Sequence, residues 1–256
     1  MLKLLIGTSL AAKGMERGGA CQPYEGTSTP IQAPERRVAL VIGNGDYDDP
    51  TATLTDPARD AELMAETLWQ LGFDITLCRD ADKSAMEQAV RDFGSKLTPD
   101  GVALLYYSGH GVQHDGQNWL VPVDATLERS SDVDLETIAV DSVLRRMEGS
   151  GSTSNVLLLD ACRNNPFGSR TKSAGSSGLA QIAGPPAGTI LGFATAPGDV
   201  AYEGEGDYSV WTASLATELL AIPGRDLEGV LQATRATVYG QTDNQQLPWT
   251  NTSMLG

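Results

Sequence analysis

Runs of consecutive apolar residues, spaced by longer amphipathic stretches, constrain this chain more than any other feature. They are Val38-Ala39-Leu40-Val41-Ile42, Val102-Ala103-Leu104-Leu105-Tyr106-Tyr107 and Val156-Leu157-Leu158-Leu159. A strand-length run without polar alternation is buried on both faces, the condition met in parallel sheets covered by helices. The intervening segments carry helical signals. Asp56 is placed to cap a helix with Pro57 at its first position, Leu63, Met64, Leu68 and Leu71 recur at helical spacing, and Gly72 ends it. A strand over Phe73–Cys78 follows, then a capping box at Ser84-Ala85-Met86-Glu87 opening a helix towards Leu97. A connection through Trp119–Asp124 leads to a helix over Ile138–Met147, a strand resumes over Thr189–Ala196, and two helices follow near Trp211–Ala221 and Asp226–Tyr239. This order predicts one α/β domain with a mostly parallel central sheet and helices on both faces. With 256 residues, 41% of them hydrophobic, the chain can bury such a core.

The boundaries follow from composition. Residues 1–36 read as a leader or flexible tether: Lys3 precedes a short apolar stretch, Leu4–Ala12, resembling a signal core, but Lys13, Glu16 and Arg17 follow early. Export and cytoplasmic retention both stay open. Residues 13–36 are rich in Gly, Pro, Ser and Thr without periodicity, which places the domain at 37–256. Residues 163–188 form a second Gly/Ser/Pro-rich stretch, a flexible loop of unusual length inside a compact domain. A net charge of -15 repels nucleic acid, and no run approaches the length needed for membrane insertion of the folded domain. The three cysteines, Cys21, Cys78 and Cys162, lack paired spacing, so neither a zinc site nor a disulfide framework is expected.

Two of the apolar strands end in residues that carry chemistry: Ser108-Gly109-His110-Gly111 and, about 50 residues on, Asp160-Ala161-Cys162-Arg163. In a parallel α/β sheet, ligands bind at the carboxyl ends of the strands. Alone, a strand-end Cys is an ordinary small buried hydrophobe. Together, an imidazole and a thiol at neighbouring strand ends form a general base and a nucleophile, His110 withdrawing the proton and the Cys162 thiolate attacking a carbonyl. Gly109 and Gly111 allow a sharp turn and close approach, and the amides of Gly111 and Cys162 are candidate oxyanion-hole donors.

Tyr107-Ser108-Gly109-His110-Gly111 and Asp160-Ala161-Cys162-Arg163-Asn164-Asn165-Pro166-Phe167 resemble the two catalytic motifs of bacterial caspase-like proteins related to metacaspases. The resemblance extends through Arg37–Asn44, Leu54–Ala61, Trp119–Asp124 and Gln246–Trp249, essentially the whole domain. It implies a caspase-like fold, with His110 as base, Cys162 as nucleophile and Gly111 as oxyanion donor. Asp160 stands where the caspase signature has Gln, as in metacaspase-like proteins. A carboxylate there pairs with Arg or Lys and repels Asp, so the expected partners are peptides or proteins with a basic residue before the scissile bond. Asp60 is a candidate second carboxylate, and Asp56 is accounted for by helix capping. Arg170 and Lys172, in the long loop, are candidate self-cleavage sites. The run before the penultimate helix differs from the family in Val210 and Trp211, where smaller polar residues are usual.

No cofactor is required. Metacaspases often depend on calcium, but no D-x-D-x-D-G loop is present, so calcium stays possible and unplaced and no metal ligand is named. Gly43-Asn44-Gly45 lacks the third glycine of a nucleotide-binding turn, and His114 reads as a surface loop residue rather than a ligand beside His110. The alternative to an endopeptidase is a caspase-fold signalling or interaction module with weak or no proteolytic activity.

Overall fold

The computed structural model describes residues 21–162, 179, 182, 184–196, 206–221 and 226–254, the side chain of residue 162 excepted. In chain order these comprise β1 (Gln22–Tyr24), β2 (Arg37–Gly43), α1 (Pro57–Gln70), β3 (Asp74–Arg79), α2 (Lys83–Lys96), β4 (Val102–His114) and β5 (Gln117–Leu120). The second half adds α3 (Val133–Glu136), β6 (Ile138–Ala139), α4 (Val140–Gly149), β7 (Ser154–Cys162), β8 (Thr189–Phe193), α5 (Val210–Ala221), α6 (Leu227–Gln241) and β9 (Trp249–Thr252).

The main sheet runs β1-β3-β2-β4-β7-β8-β9. Its five central strands are parallel, and antiparallel β1 and β9 form the edges. Because strand side chains alternate between faces, the apolar runs feed two cores. Leu40, Ile42, Leu105, Tyr107, Leu157 and Leu159 pack with Met86, Val90 and Phe93 of α2 and Val143 and Met147 of α4. Ala39, Val41, Leu104, Tyr106 and Leu158 pack on the other side with Met64 and Leu68 of α1, Trp211 and Leu215 of α5, and Val230 and Val238 of α6. The expected α/β architecture with helices on both faces is the one observed.

Several local expectations change. Helix α1 begins at Pro57, but the Asp56 side chain makes no capping bond; it accepts from Thr55 Oγ1 at 2.8 Å and from Arg59 at 2.9 Å. Capping therefore does not account for Asp56. The cap of α2 is Asp82, whose carboxylate accepts from Ala85 N–H at 2.7 Å, so the helix starts ahead of the expected Ser84 box. Strand β4 does not stop at Tyr107: it runs on to His114 and turns through Asp115-Gly116 into β5, so His114 lies in a hairpin rather than a loop.

The amino-terminal boundary also moves. Strand β1 pairs with β3, and Cys21 and Cys78 form a disulfide, contrary to the expectation of no such bond. The arm is further fastened to α1: Glu66 accepts from the Tyr24 hydroxyl at 2.9 Å and from Thr27 N–H at 3.0 Å, and Trp69 Nε1–H donates to the Ser28 carbonyl at 2.7 Å. Composition concealed this because three-residue strands carry no readable periodicity. The carboxylate of Glu66, collecting these donors, is held at about 2 against the opposing effect of burial.

The disulfide closes a 57-residue separation, for which the chain-entropy argument gives about 4 kcal/mol. Reduction is expected to lower the thermal midpoint, and Cys78→Ser should reproduce that loss. Thiol titration of the unfolded, unreduced chain should count one reactive cysteine of the three; a count of three would remove the disulfide.

Candidate active site

The parallel ladder between β4 and β7 pairs Ser108 with Asp160, Gly109 with Ala161 and His110 with Cys162. Neighbouring strands lie ~4.8 Å apart, so the backbones of the base and the nucleophile named from sequence are adjacent. Cys162 closes β7, whereas His110 lies within β4, four residues before its end, at the point where the strand leaves the main sheet to pair with β5.

The imidazole of His110 is buried and gripped from several directions. Its Nε2 lies 2.7 Å from the Ala52 carbonyl oxygen. A carbonyl only accepts, so this nitrogen carries the proton and Nδ1 carries the lone pair of the neutral ring. The His110 N–H donates to the Tyr47 hydroxyl at 2.8 Å, and the Tyr107 hydroxyl donates to the His110 carbonyl at 2.6 Å. The Tyr47 and His110 rings pack with centroids 4.8 Å apart. Burial lowers the imidazole pKa, partly countered by the Ala52 carbonyl, so the ring is held in its neutral, basic form.

The glycines beside His110 are sterically required. Gly109 has φ +150, and a Cβ there would meet the Tyr107 hydroxyl at 2.7 Å and the Tyr47 hydroxyl at 2.9 Å. At Gly111 a Cβ would come within 2.9 Å of Leu179 and 3.1 Å of Ala161. Gly111 stands opposite Leu120 of β5, while the neighbouring His110 carbonyl accepts from Val121 N–H at 3.1 Å. The alternation of an antiparallel ladder therefore turns the Gly111 N–H away from β5.

The loop bearing Tyr47 and Ala52 is anchored by polar groups. Asn44, fully buried, donates through Nδ2 to the Val121 carbonyl at 3.1 Å and accepts from Ala81 N–H at 2.9 Å. Asp80 accepts from the amides of Gly45 and Asp46 at 2.8 and 2.9 Å. The amides that a phosphate would need are thus taken, and Gly43 is small because a Cβ would strike the Pro57 carbonyl at 2.1 Å.

Two residues back along the same strands lies a buried acidic pocket, where α1 brings Asp60 to Asp160 of β7. Asp60 and Asp160 are 1% and 4% exposed. Asp60 accepts from Ser108 Oγ at 3.1 Å and from Ser209 N–H at 2.9 Å. Asp160 accepts from the Ser209 hydroxyl and, at 2.7 Å, from Thr212 Oγ1, which itself lies 2.6 Å from the Tyr106 hydroxyl. Ser209 therefore joins the two carboxyls, its amide on one and its hydroxyl on the other. Burial first, and then the charge of Asp160, push the Asp60 carboxyl up to about 8. Burial raises Asp160 as well, opposed by its two hydroxyl donors. Asp56, also buried, is paired with Arg59, which reaches Asp207 at 3.6 Å.

Comparison with known proteins bears on this arrangement. The caspase-domain profile of the C14 peptidases matches residues 36–256. The chain belongs to that family. It is also similar to the mucosa-associated lymphoid tissue lymphoma translocation protein 1 of Homo sapiens and to its Mus musculus homolog, each at 31% identity over 167 residues. The match takes in 65% of this chain but only 19% of either relative, so the chain spans about a fifth of the length of these proteins.

In this caspase domain the remaining expectations distribute as follows. His114 lies 3.5 Å from Asp115, away from the acidic pocket. Trp211 is core, packed beneath β8; the polar residues flanking it in sequence, Ser209 and Thr212, are the ones that face the carboxylates. Arg163, Arg170 and Lys172 lie outside the described residues. Among the described residues no helix is long and apolar enough to cross a membrane, and no group of three His, Cys, Asp or Glu is arranged to hold a metal ion. Sequence reasoning missed Tyr47, Ala52, Tyr106, Ser209 and Thr212. Only the polar residues around Trp211 gave any signal.

Two predictions follow from these contacts. Because Asp60 keeps its proton in the folded chain but loses it near 3.8 when unfolded, folding stability falls as pH rises from about 4 to about 8. Asp60→Asn preserves an acceptor for Ser209 and should stabilise the domain at pH 8 by ~1 kcal/mol or more, with the advantage vanishing near pH 4 in denaturant titrations. Gly109→Ala, placed against two tyrosine hydroxyls, should lower the unfolding midpoint clearly, whereas Gly116→Ala, with open space around it, should suffer only the backbone cost of its positive φ.

Proposed function

We propose that this caspase domain is a cysteine endopeptidase cleaving after Arg or Lys through a Cys162–His110 dyad. The observation that carries the reading is the pair of buried carboxylates, Asp160 on β7 two residues before Cys162 and Asp60 on α1, hydrogen-bonded to Ser108 of β4 two residues before His110. A site that desolvates two carboxylates beside a nucleophile discriminates strongly for a cation and against an anion.

In this reading the Arg or Lys side chain before the scissile bond enters the acidic pocket and places its carbonyl over Cys162. His110, with Nε2–H held by the Ala52 carbonyl, receives the thiol proton at Nδ1. The thiolate attacks the carbonyl carbon, the developing oxyanion is met by the amides of Gly111 and Cys162, and His110 returns the proton to the leaving amine. Water then hydrolyses the acyl-enzyme, with His110 again as base. The same specificity makes Arg170 and Lys172 candidate sites for cleavage of one copy by another or of the chain by itself.

Purified chain should release a fluorophore from a short peptide ending in Arg, and Cys162→Ala should reduce that rate by ~10³-fold or more. A peptide ending in Asp should be turned over at least ~10³-fold less efficiently. Asp160→Asn should raise KM for the Arg peptide more than it lowers kcat. Assays with and without calcium settle its requirement. Turnover unaffected by Cys162→Ala, or equal rates for Arg and Asp peptides, overturns the reading.

A further inference from the structure

Asp60 and Asp160 come together without a cation of their own. Among the described residues neither forms an ion pair; the nearest basic group on α1, Arg59, is committed to Asp56 and Asp207. Two buried carboxylates joined through one residue cannot both hold a full charge in a poorly hydrated site, because each raises the cost of ionising the other. Each carboxyl meets two donors, but the two sets differ in kind. Asp160 is approached by two hydroxyls, Ser209 and Thr212, whereas Asp60 meets one amide, Ser209 N–H, and one hydroxyl, Ser108.

That last contact is reversible in sense. A serine hydroxyl can donate to a carboxylate or accept from a carboxylic acid with a small rotation of its hydrogen. The amide on the other oxygen of Asp60 can only donate. A proton on Asp60 is therefore accommodated at Oδ2, facing Ser108 Oγ, without disturbing the link through Ser209.

We propose that the empty pocket holds one proton between its two carboxyls, resident on Asp60, and that a cationic side chain enters in exchange for it. This rests on the reading of the pocket as the receptor for Arg or Lys. The charges balance: Asp160 anionic and Asp60 neutral before binding, and two carboxylates with one cation after it, leave the pocket at the same net charge. The proton passes from Asp60 Oδ2 to solvent, and Ser108 turns from acceptor to donor. The pocket thus avoids burying two uncompensated charges while empty and still presents two when a cation arrives.

The other ionisable groups around the pair are compatible with this assignment. On α1, Asp56 is paired with Arg59, and its remaining charge disfavours ionisation of both carboxyls, in the same sense as their burial. On β4, burial raises the Tyr106 phenol, keeping it neutral. Ahead of α5, Asp207 is exposed. His110, further along β4, is engaged with Ala52 and Tyr47.

Calorimetry of agmatine binding to the full chain tests the exchange, since agmatine carries a guanidinium on an uncleavable chain. At pH 7, in buffers of different ionisation enthalpy, the observed heat should vary with the buffer and report release of about one proton per agmatine bound. Raising pH from 6 to 7 should tighten binding roughly tenfold, and the buffer dependence should fade above pH 9. Asp60→Asn, with no proton to release, should bind more weakly with heats independent of buffer. Binding by the unaltered chain with buffer-independent heats at pH 7 overturns the exchange and leaves the basic-pocket reading intact. No binding at any pH overturns both.

Discussion

The register of β4 against β7 sets two neighbouring juxtapositions at once. The ladder that pairs His110 with Cys162 also pairs Ser108 with Asp160, so the residues of the proposed dyad and one wall of the acidic pocket are spaced by the pleat itself, two residues along each strand. A slip of one residue would reverse the facing of every side chain on the shifted strand and bury the wrong set. The apolar residues upstream, Leu104 to Tyr107 and Val156 to Leu159, prevent that slip because both faces are committed to separate cores. Hydrophobic packing far from the chemistry is thus what positions the chemistry.

Around this register the chain uses two kinds of polar control. At His110 the control is geometric: Ala52, Tyr47 and Tyr107 hold the imidazole and its backbone, and Asn44 and Asp80 hold the loop that brings the first two into place. At the acidic pocket it is electrostatic, with burial working against charge and hydroxyl donors working for it. The first sets where a proton can be received, the second how much negative charge a buried pocket can hold. Keeping them on separate side chains lets each be tuned without disturbing the other.

The legible parts of the sequence were those whose signal is local. Buried parallel strands announce themselves as unbroken apolar runs, and His110 and Cys162, the residues of the proposed dyad, follow directly after them in sequence. Asp160 was readable for the same reason, being two residues from Cys162. The bridge between Asp60 and Ser209 was not, because it spans 149 residues and depends on α1 and α5 packing on the same face. Asp56 misled because a carboxylate before a helical proline has an obvious local role that an ion pair with Arg59 displaces. The amino-terminal arm was hidden for a different reason: its attachment rests on one covalent bond, a short ladder and scattered side-chain contacts, none of which leaves a periodic trace.

That arm has a consequence for how the molecule behaves in company. Without β1, the outer margin of β3 would present a row of unpaired amides and carbonyls, a template on which another chain could add a strand. The domain supplies its own strand and rivets it in place through Cys21 and Cys78. Reduction would leave that strand held only by its ladder and by the contacts of Tyr24, Thr27, Ser28 and Trp69, so the sulfur–sulfur bond is the covalent one among several ties that keep this margin covered.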